Sequence, residues 1–224
     1  IFAEKNGLAV AQTSMVPRGD NALVTKVEME NRTGAHREVT LTSFVEFCLW
    51  NAQDDSTNFQ RNFSTGEVEI EGNAIYHKTE YRERRNHYAV YSVNAPIDGF
   101  DTDRDCFLGA YNGFDHPSAV FEDRSRNSVA SGWAPIGSHR LHGWLAPGER
   151  VCFVFTLGYC ENEQDEKFIA PGVINKAPAY ALLEKYNSEK QFDAALAQLR
   201  AYWDELLATQ SQIGRAVQQE CRDR

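Results

Sequence analysis

Hydrophobic and polar residues alternate in short runs over the first two thirds of the chain. Leu23, Thr25, Val27 and Met29 alternate with Val24, Lys26, Glu28 and Glu30, the period-two signature of a strand with one face turned to water. A longer strand is predicted over residues 39–50. There both alternating sets become apolar toward the end, as expected of a strand buried on both faces. Residues 32–37, which include Gly34, join these two strands. Further strands are predicted at 67–71 and 74–78 around Gly72-Asn73, at 88–94, at 140–145, and at 151–158 after Pro147-Gly148. The chain also opens directly in strand-like sequence. Many short strands with turn signals between them predict a mainly β fold, an antiparallel sandwich.

The period changes after Gly172. Residues 178–186 read as a short helix, and Ser188, with Gln191 three positions on, opens a longer one with a capping-box pattern. Phe192, Ala195, Leu196, Leu199, Tyr202, Trp203, Leu206 and Leu207 recur at helical spacing, an apolar stripe that needs a cover. A sandwich face is expected to cover part of it, and any exposed remainder favours self-association. Residues 210–224 are polar, lack an apolar face and are set apart from the fold. The predicted organisation is a β-sandwich over 1–172, helices over 173–209 and a tail over 210–224.

Composition narrows the function classes. Hydrophobic residues at 42% and aromatics at 12% exclude disorder in a chain of 224 residues. A net charge of -9 argues against nucleic acid or an anionic membrane as partner, since both reward clustered Lys and Arg. Cys48, Cys106, Cys152, Cys160 and Cys221 are odd in number and contain no C-x-x-C pair. They suggest reduced thiols in a cytoplasmic protein rather than a disulfide framework or a zinc site. No apolar run is long enough to span a membrane.

Candidate chemistry concentrates in residues 47–62, F-C-L-W-N-A-Q-D-D-S-T-N-F-Q-R-N, where a hydrophobic run stops at amides, carboxylates and an arginine. A pyranose needs planar donors and acceptors beside aromatic surface. Asn51, Asn58, Gln60 and Arg61 supply the first, and Trp50 and Phe59 the second. An ordinary solvated turn uses many of the same residue types. Elsewhere, Asp101, Asp103 and Asp105 in D-T-D-R-D fit a capped turn better than a calcium loop, because Cys106 and Asn112 stand where glycine and glutamate are required. Arg82, Arg84 and Arg85 suit an ion-pair network with Glu80 and Glu83 better than an anion site. The six histidines lack metal-ligand spacing, and His139 and His142 would lie on opposite faces of one strand, so structural roles are expected. Ser131 lacks a nucleophile-elbow context, and Asp54-Asp55 would point apart rather than flank a glycosidic bond. No catalytic residue and no metal ligand is nominated.

The 47–62 segment, together with residues 76–88 (Y-H-K-T-E-Y-R-E-R-R-N-H-Y), 97–105 (I-D-G-F-D-T-D-R-D), 127–133 (N-S-V-A-S-G-W) and 172–176 (G-V-I-N-K), resembles the amino-terminal domain of the cellobiose phosphorylase family. These are the inverting disaccharide phosphorylases of glycoside hydrolase family 94. The resemblance covers roughly residues 8–208. It implies a galactose-mutarotase-like super-sandwich followed by linker helices that lead into an (α/α)6 catalytic barrel. It implies that the parent enzyme converts cellobiose and phosphate to α-glucose 1-phosphate and glucose, with inorganic phosphate as co-substrate and no other cofactor. By the same resemblance Gln60 and Arg61 match the pair that reaches the acceptor sugar, Asn51 and Asn58 lie near the entrance to that subsite, and the acid and the phosphate site belong to the barrel. The implied partners are a disaccharide or glucose acceptor, the barrel and a second copy of the chain. A carbohydrate-binding or dimerisation module without catalysis, and a mutarotase-like sandwich with its own activity, are the alternatives.

Overall fold

A computed structural model describes residues 1–47, 66–79, 86–132, 135–163 and 165–222, with the backbone alone for Thr79 and 209–222. Three layers stack on one another: a large antiparallel sheet, a smaller antiparallel sheet on its inner face, and helices on its outer face.

The chain begins with a hairpin of β1 (Phe2–Lys5) and β2 (Leu8–Met15). Its two-residue turn puts Asn6 at φ 52° and Gly7 at φ 74°, the left-handed pair that a two-residue hairpin requires. The third strand, β3 (Ala22–Asn31), is paired along its length with β2 and with β12 (Arg150–Glu161). The sheet continues through β8 (His87–Val93), β7 (Ala74–Thr79), β6 (Gly66–Glu71) and β10 (Ser131–Gly132), giving the order β1-β2-β3-β12-β8-β7-β6-β10. Strand β8 lies in the middle and every residue of it is buried.

The expectation of one wet face on β3 is corrected. Leu23, Thr25, Val27 and Met29 do turn toward the small sheet, but Ala22, Val24 and Lys26 face the helices and are buried. A lysine is accommodated there because Asp193 reaches its ammonium at 2.6 Å, with Glu28 and Glu189 at 3.7 and 3.8 Å. The stretch 32–36 joins β3 to the next strand, as the sequence predicts. It carries the chain from the large sheet to the small one, and it is fixed by the buried amide of Asn31. That side chain donates to the carbonyls of Ala35, Leu145 and Ala146 at 2.8, 3.0 and 3.1 Å and accepts from the Thr33 amide and hydroxyl.

In the small sheet, β4 (Arg37–Thr42) and β5 (Val45–Glu46) pair with β11 (Pro135–Leu145), and β9 (Gly99–Asp103) takes the other edge. The predicted strand 39–50 therefore appears as two pieces, yet both keep a single register on β11: Thr42 opposes Arg140 and Val45 opposes Gly137. The break falls at Ser43, whose hydroxyl rather than its carbonyl accepts the His139 amide, at 3.0 Å.

Between β9 and β10 the chain forms two short helices, α1 (Arg104–Leu108) and α2 (Ser118–Phe121), that bury Phe107, Leu108 and Ala119 against Ile136. A small ribbon, β13 (Phe168–Ala170) with β14 (Val173–Ile174), precedes α3 (Ala177–Glu184) and α4 (Glu189–Arg222). Helix α3 lies close against β12 because position 158 is glycine: a Cβ there would stand 2.4 Å from Leu182 Cδ2. The Ser188 cap forms, with the Gln191 amide donating to Ser188 Oγ at 3.2 Å, but Gln191 does not return the bond to the cap amide. Its Oε1 accepts the Ser188 hydroxyl and its Nε2 donates to the Glu184 carbonyl, which joins α4 to the end of α3. The backbone of α4 continues to Arg222, through residues that the sequence pattern set apart as a tail.

Candidate functional site

Four strand ends of the two sheets meet at one rim of the molecule. Strand β5 ends beside Phe47, β6 begins at Gly66, β7 ends at Thr79 and β8 begins at His87; Gly66 opposes Thr79 in the ladder, and His87 opposes Glu161 on β12. The segments 48–65 and 80–85 therefore leave and re-enter the fold side by side. Asn51, Asn58, Gln60 and Arg61 lie in the first, outside the described residues, as do Arg82, Arg84 and Arg85 in the second. What the structure does describe is the base from which both segments depart.

His77 is the centre of that base. Its ring stacks on Phe47 with centroids 5.0 Å apart, and a Cβ on Gly66 would stand 2.6 Å from His77 Cε1, so one imidazole touches the last described residue before 48–65 and the first after it. Alternation on β7 turns Ile75 and His77 inward, which is why the ring arrives there. Burial pushes the imidazole down to about 4, with the nearby His87 acting in the same direction and the Glu67 backbone opposing, so the ring is neutral near pH 7. Its Nδ1 has no hydrogen-bond partner among the described residues.

Beside it, on β8 and β12, runs a chain of polar groups. Tyr159 donates its hydroxyl hydrogen to the Glu161 carboxylate, which leaves the phenol oxygen to accept from His87 Nδ1 at 3.3 Å. Asn86 donates from its side chain to the Asn162 carbonyl at 2.6 Å and accepts from the Asn162 amide through its own carbonyl, tying the start of β8 to the end of β12. An open cleft of about 580 Å³ adjoins this rim, with Val16, Leu23, Phe47, Ala89 and Leu157 as its apolar wall and Asn21, Glu46 and Tyr159 as its polar edge. The described groups at the rim are either buried and neutral or already engaged, an arrangement suited to holding flanking segments in place. Sequence reasoning missed the Tyr159–Glu161 pair; its only signal was two polar positions alternating at the end of an otherwise apolar strand.

The remaining candidates have structural partners. Asp101 is fully buried and accepts from the amides of Arg126 and Ser128 and from the Ser128 hydroxyl, the last at 2.7 Å. Asp103 caps α1 by accepting from the Cys106 amide at 2.9 Å, the capped turn expected of D-T-D-R-D. His139 is buried and stacked on Tyr91 at 4.8 Å, with burial pushing it down to about 4, while His142 faces outward, as their spacing predicts. Burial raises the Cys152 and Cys160 thiols to about 11, so neither is a thiolate near neutral pH. Among the described residues no group of three or more His, Cys, Asp or Glu is placed to hold a metal ion. Nor is any helix of the described residues long and apolar enough to cross a membrane.

Comparison with known proteins matches residues 1–189 to the family model described as glycosyl hydrolase 94, supersandwich domain. A curated N,N'-diacetylchitobiose phosphorylase of Vibrio proteolyticus is 31% identical over 210 residues, and that of Vibrio furnissii is 29% identical over 205; each alignment covers 91% of this chain. A solabiose phosphorylase of Paenibacillus borealis is 27% identical over 188 residues, 80% of this chain. The chain spans about a quarter of the length of these relatives, 24% in each case.

Proposed function

The chain belongs to the glycosyl hydrolase 94 supersandwich-domain family, and from that premise we propose that it is the non-catalytic sandwich of a disaccharide phosphorylase, presenting residues 48–65 to the acceptor sugar. The observation that carries this reading is the shared rim, where one buried imidazole, His77, touches both ends of the segment that contains Gln60 and Arg61. A rigid base of that kind suits residues that orient a sugar rather than transfer protons.

In the proposed reaction an oxygen of inorganic phosphate attacks the anomeric carbon from the face opposite the leaving sugar, and a general acid supplied by a catalytic barrel protonates the departing glycosidic oxygen. Gln60 and Arg61 hold the departing sugar, and Asn51 and Asn58 line its entrance. The barrel and a second copy of the chain are the proposed partners. The free thiols of Cys106, Cys152 and Cys160 support a cytoplasmic setting. Cellobiose is the proposed substrate. A second reading, an N-acetylated disaccharide, is favoured by the two Vibrio relatives, both N,N'-diacetylchitobiose phosphorylases.

The test is Arg61→Ala in a chain extended to the length of its relatives. The Michaelis constant for the acceptor in the synthetic direction is expected to rise about tenfold, the loss of one charge-assisted hydrogen bond, with phosphate affinity unchanged. Running the assay with glucose and with N-acetylglucosamine separates the two substrate readings. Loss of phosphate affinity with the acceptor constant spared would reassign the arginine as an anion ligand.

A further inference from the structure

The outer face of the small sheet carries a feature that the rim does not explain. On β11 the inward positions are Leu141, Gly143 and Leu145, so alternation turns Arg140, His142 and Trp144 outward. Trp144 is 60% exposed. An indole of this size, standing on a rigid strand and open to water, is an uncommon use of the residue. Its surroundings are polar and ordered. The cross-strand neighbour of Trp144 is Glu38, and that of His142 is Thr40. His142 Nε2 stands 2.9 Å from Glu38 Oε1, its ring N–H donating to the carboxylate. Arg140 Nε donates to Asp123 at 3.0 Å, and that contact holds the Asp123 carboxyl below its ordinary range. The backbone is pinned as well, since the His142 amide donates to Asp98 at 2.6 Å.

We infer that this face is a binding surface for neutral pyranose oligosaccharides, with Trp144 as the stacking platform and the Glu38–His142 and Arg140–Asp123 pairs as hydrogen-bonding edges. The charges decide among occupants. The Arg140 guanidinium is matched to Asp123 and the His142 ring to Glu38, so neither is left as an unpaired positive group for an anionic ligand. An apolar protein partner would have to strip water from four ionisable side chains in return for one indole. A polyhydroxyl ligand donates to the carboxylates and accepts from the guanidinium and imidazole without displacing either pair, while its axial C–H face covers the ring. The row from Arg140 to Trp144 spans about 14 Å at strand rise, room for more than one sugar ring. Two residues before Asp123, the exposed Phe121 stacks on His116 with ring centroids 3.5 Å apart. This inference is independent of the assignment of Arg61, which concerns the rim.

The experiment uses the 224-residue chain and follows the indole N–H resonance of Trp144, identified by its loss in Trp144→Phe. Cellotetraose and tetra-N-acetylchitotetraose are titrated separately. The expected result is a saturable shift with a dissociation constant in the millimolar range or tighter for at least one of them. Trp144→Ala is expected to weaken binding at least about tenfold with an unchanged melting temperature, since the side chain is exposed, whereas Trp144→Phe, which keeps an aromatic face, stays within a few fold when followed by calorimetry. Absence of a shift with both tetrasaccharides up to their solubility limits would overturn the inference. So would saturation that survives Trp144→Ala, or binding lost in Arg61→Ala instead, which would place the sugar at the rim. A concentration-dependent shift without sugar, accompanied by a doubled mass in solution, would make the face a contact between copies.

Discussion

Single buried polar residues do much to hold this sandwich in register. Asn31 closes the crossover between the sheets with three donated hydrogen bonds, and Asp101 accepts three bonds that fold residues 126–128 against β9. His77 and His139 act differently, as flat neutral rings in aromatic stacks. Both titrate near 4 in the folded chain because burial disfavours the charged form, against 6.5 when exposed. The unfolded chain therefore binds more protons between those values, and stability is expected to fall as pH drops from about 6.5 to about 4. The loss is on the order of 3 kcal/mol per ring. Urea midpoints measured across that window should show it, and His139→Phe, which preserves the stack on Tyr91 and Phe155, should remove about half of the histidine-linked slope. An unaltered slope would mean that His139 is not the group that titrates.

The same arithmetic of burial explains where the elements dock. Phe192 is fully buried under the large sheet, Leu196 and Leu199 are partly covered, and Trp203, Leu206 and Leu207 are 49%, 39% and 58% exposed. Helix α4 is thus bound along its first turns and bare along the next ones. The Lys26–Asp193 pair and the Arg150–Glu189 pair clamp the bound end. Phe192→Ala is expected to cost about 3 to 5 kcal/mol in thermal or urea unfolding, from lost burial plus the cavity left behind. Leu207→Ala should change stability by less than about 0.5 kcal/mol. Equal effects would mean that the stripe is covered along its whole length. The amphipathic stripe was legible in the sequence from spacing alone, but its division into covered and bare halves was not. That division depends on where the β3 and β12 surface ends.

For the molecule as a whole, the three layers bring the ends of two segments to one rim, where His87, Tyr159 and Glu161 are engaged with one another, and the proposed reading assigns the general acid to a catalytic barrel. The 224-residue chain alone, incubated with cellobiose or N,N'-diacetylchitobiose and phosphate, should therefore release no sugar 1-phosphate above background. Turnover would refute the non-catalytic reading directly. Period-two alternation, turn dipeptides and the change to helical spacing after Gly172 determined the fold class, most of the strands and both main helices, because these signals depend only on near neighbours. The Asp103 cap was legible for the same reason. The tertiary structure alone decided that β3 is covered on both faces, that residues 32–36 carry the chain from one sheet to the other, and that His77 touches the residues flanking the segment that carries Gln60 and Arg61. Each of these rests on contacts between strands far apart in the chain. Alternation gives a side chain its face, but only the packed layers determine what that face meets.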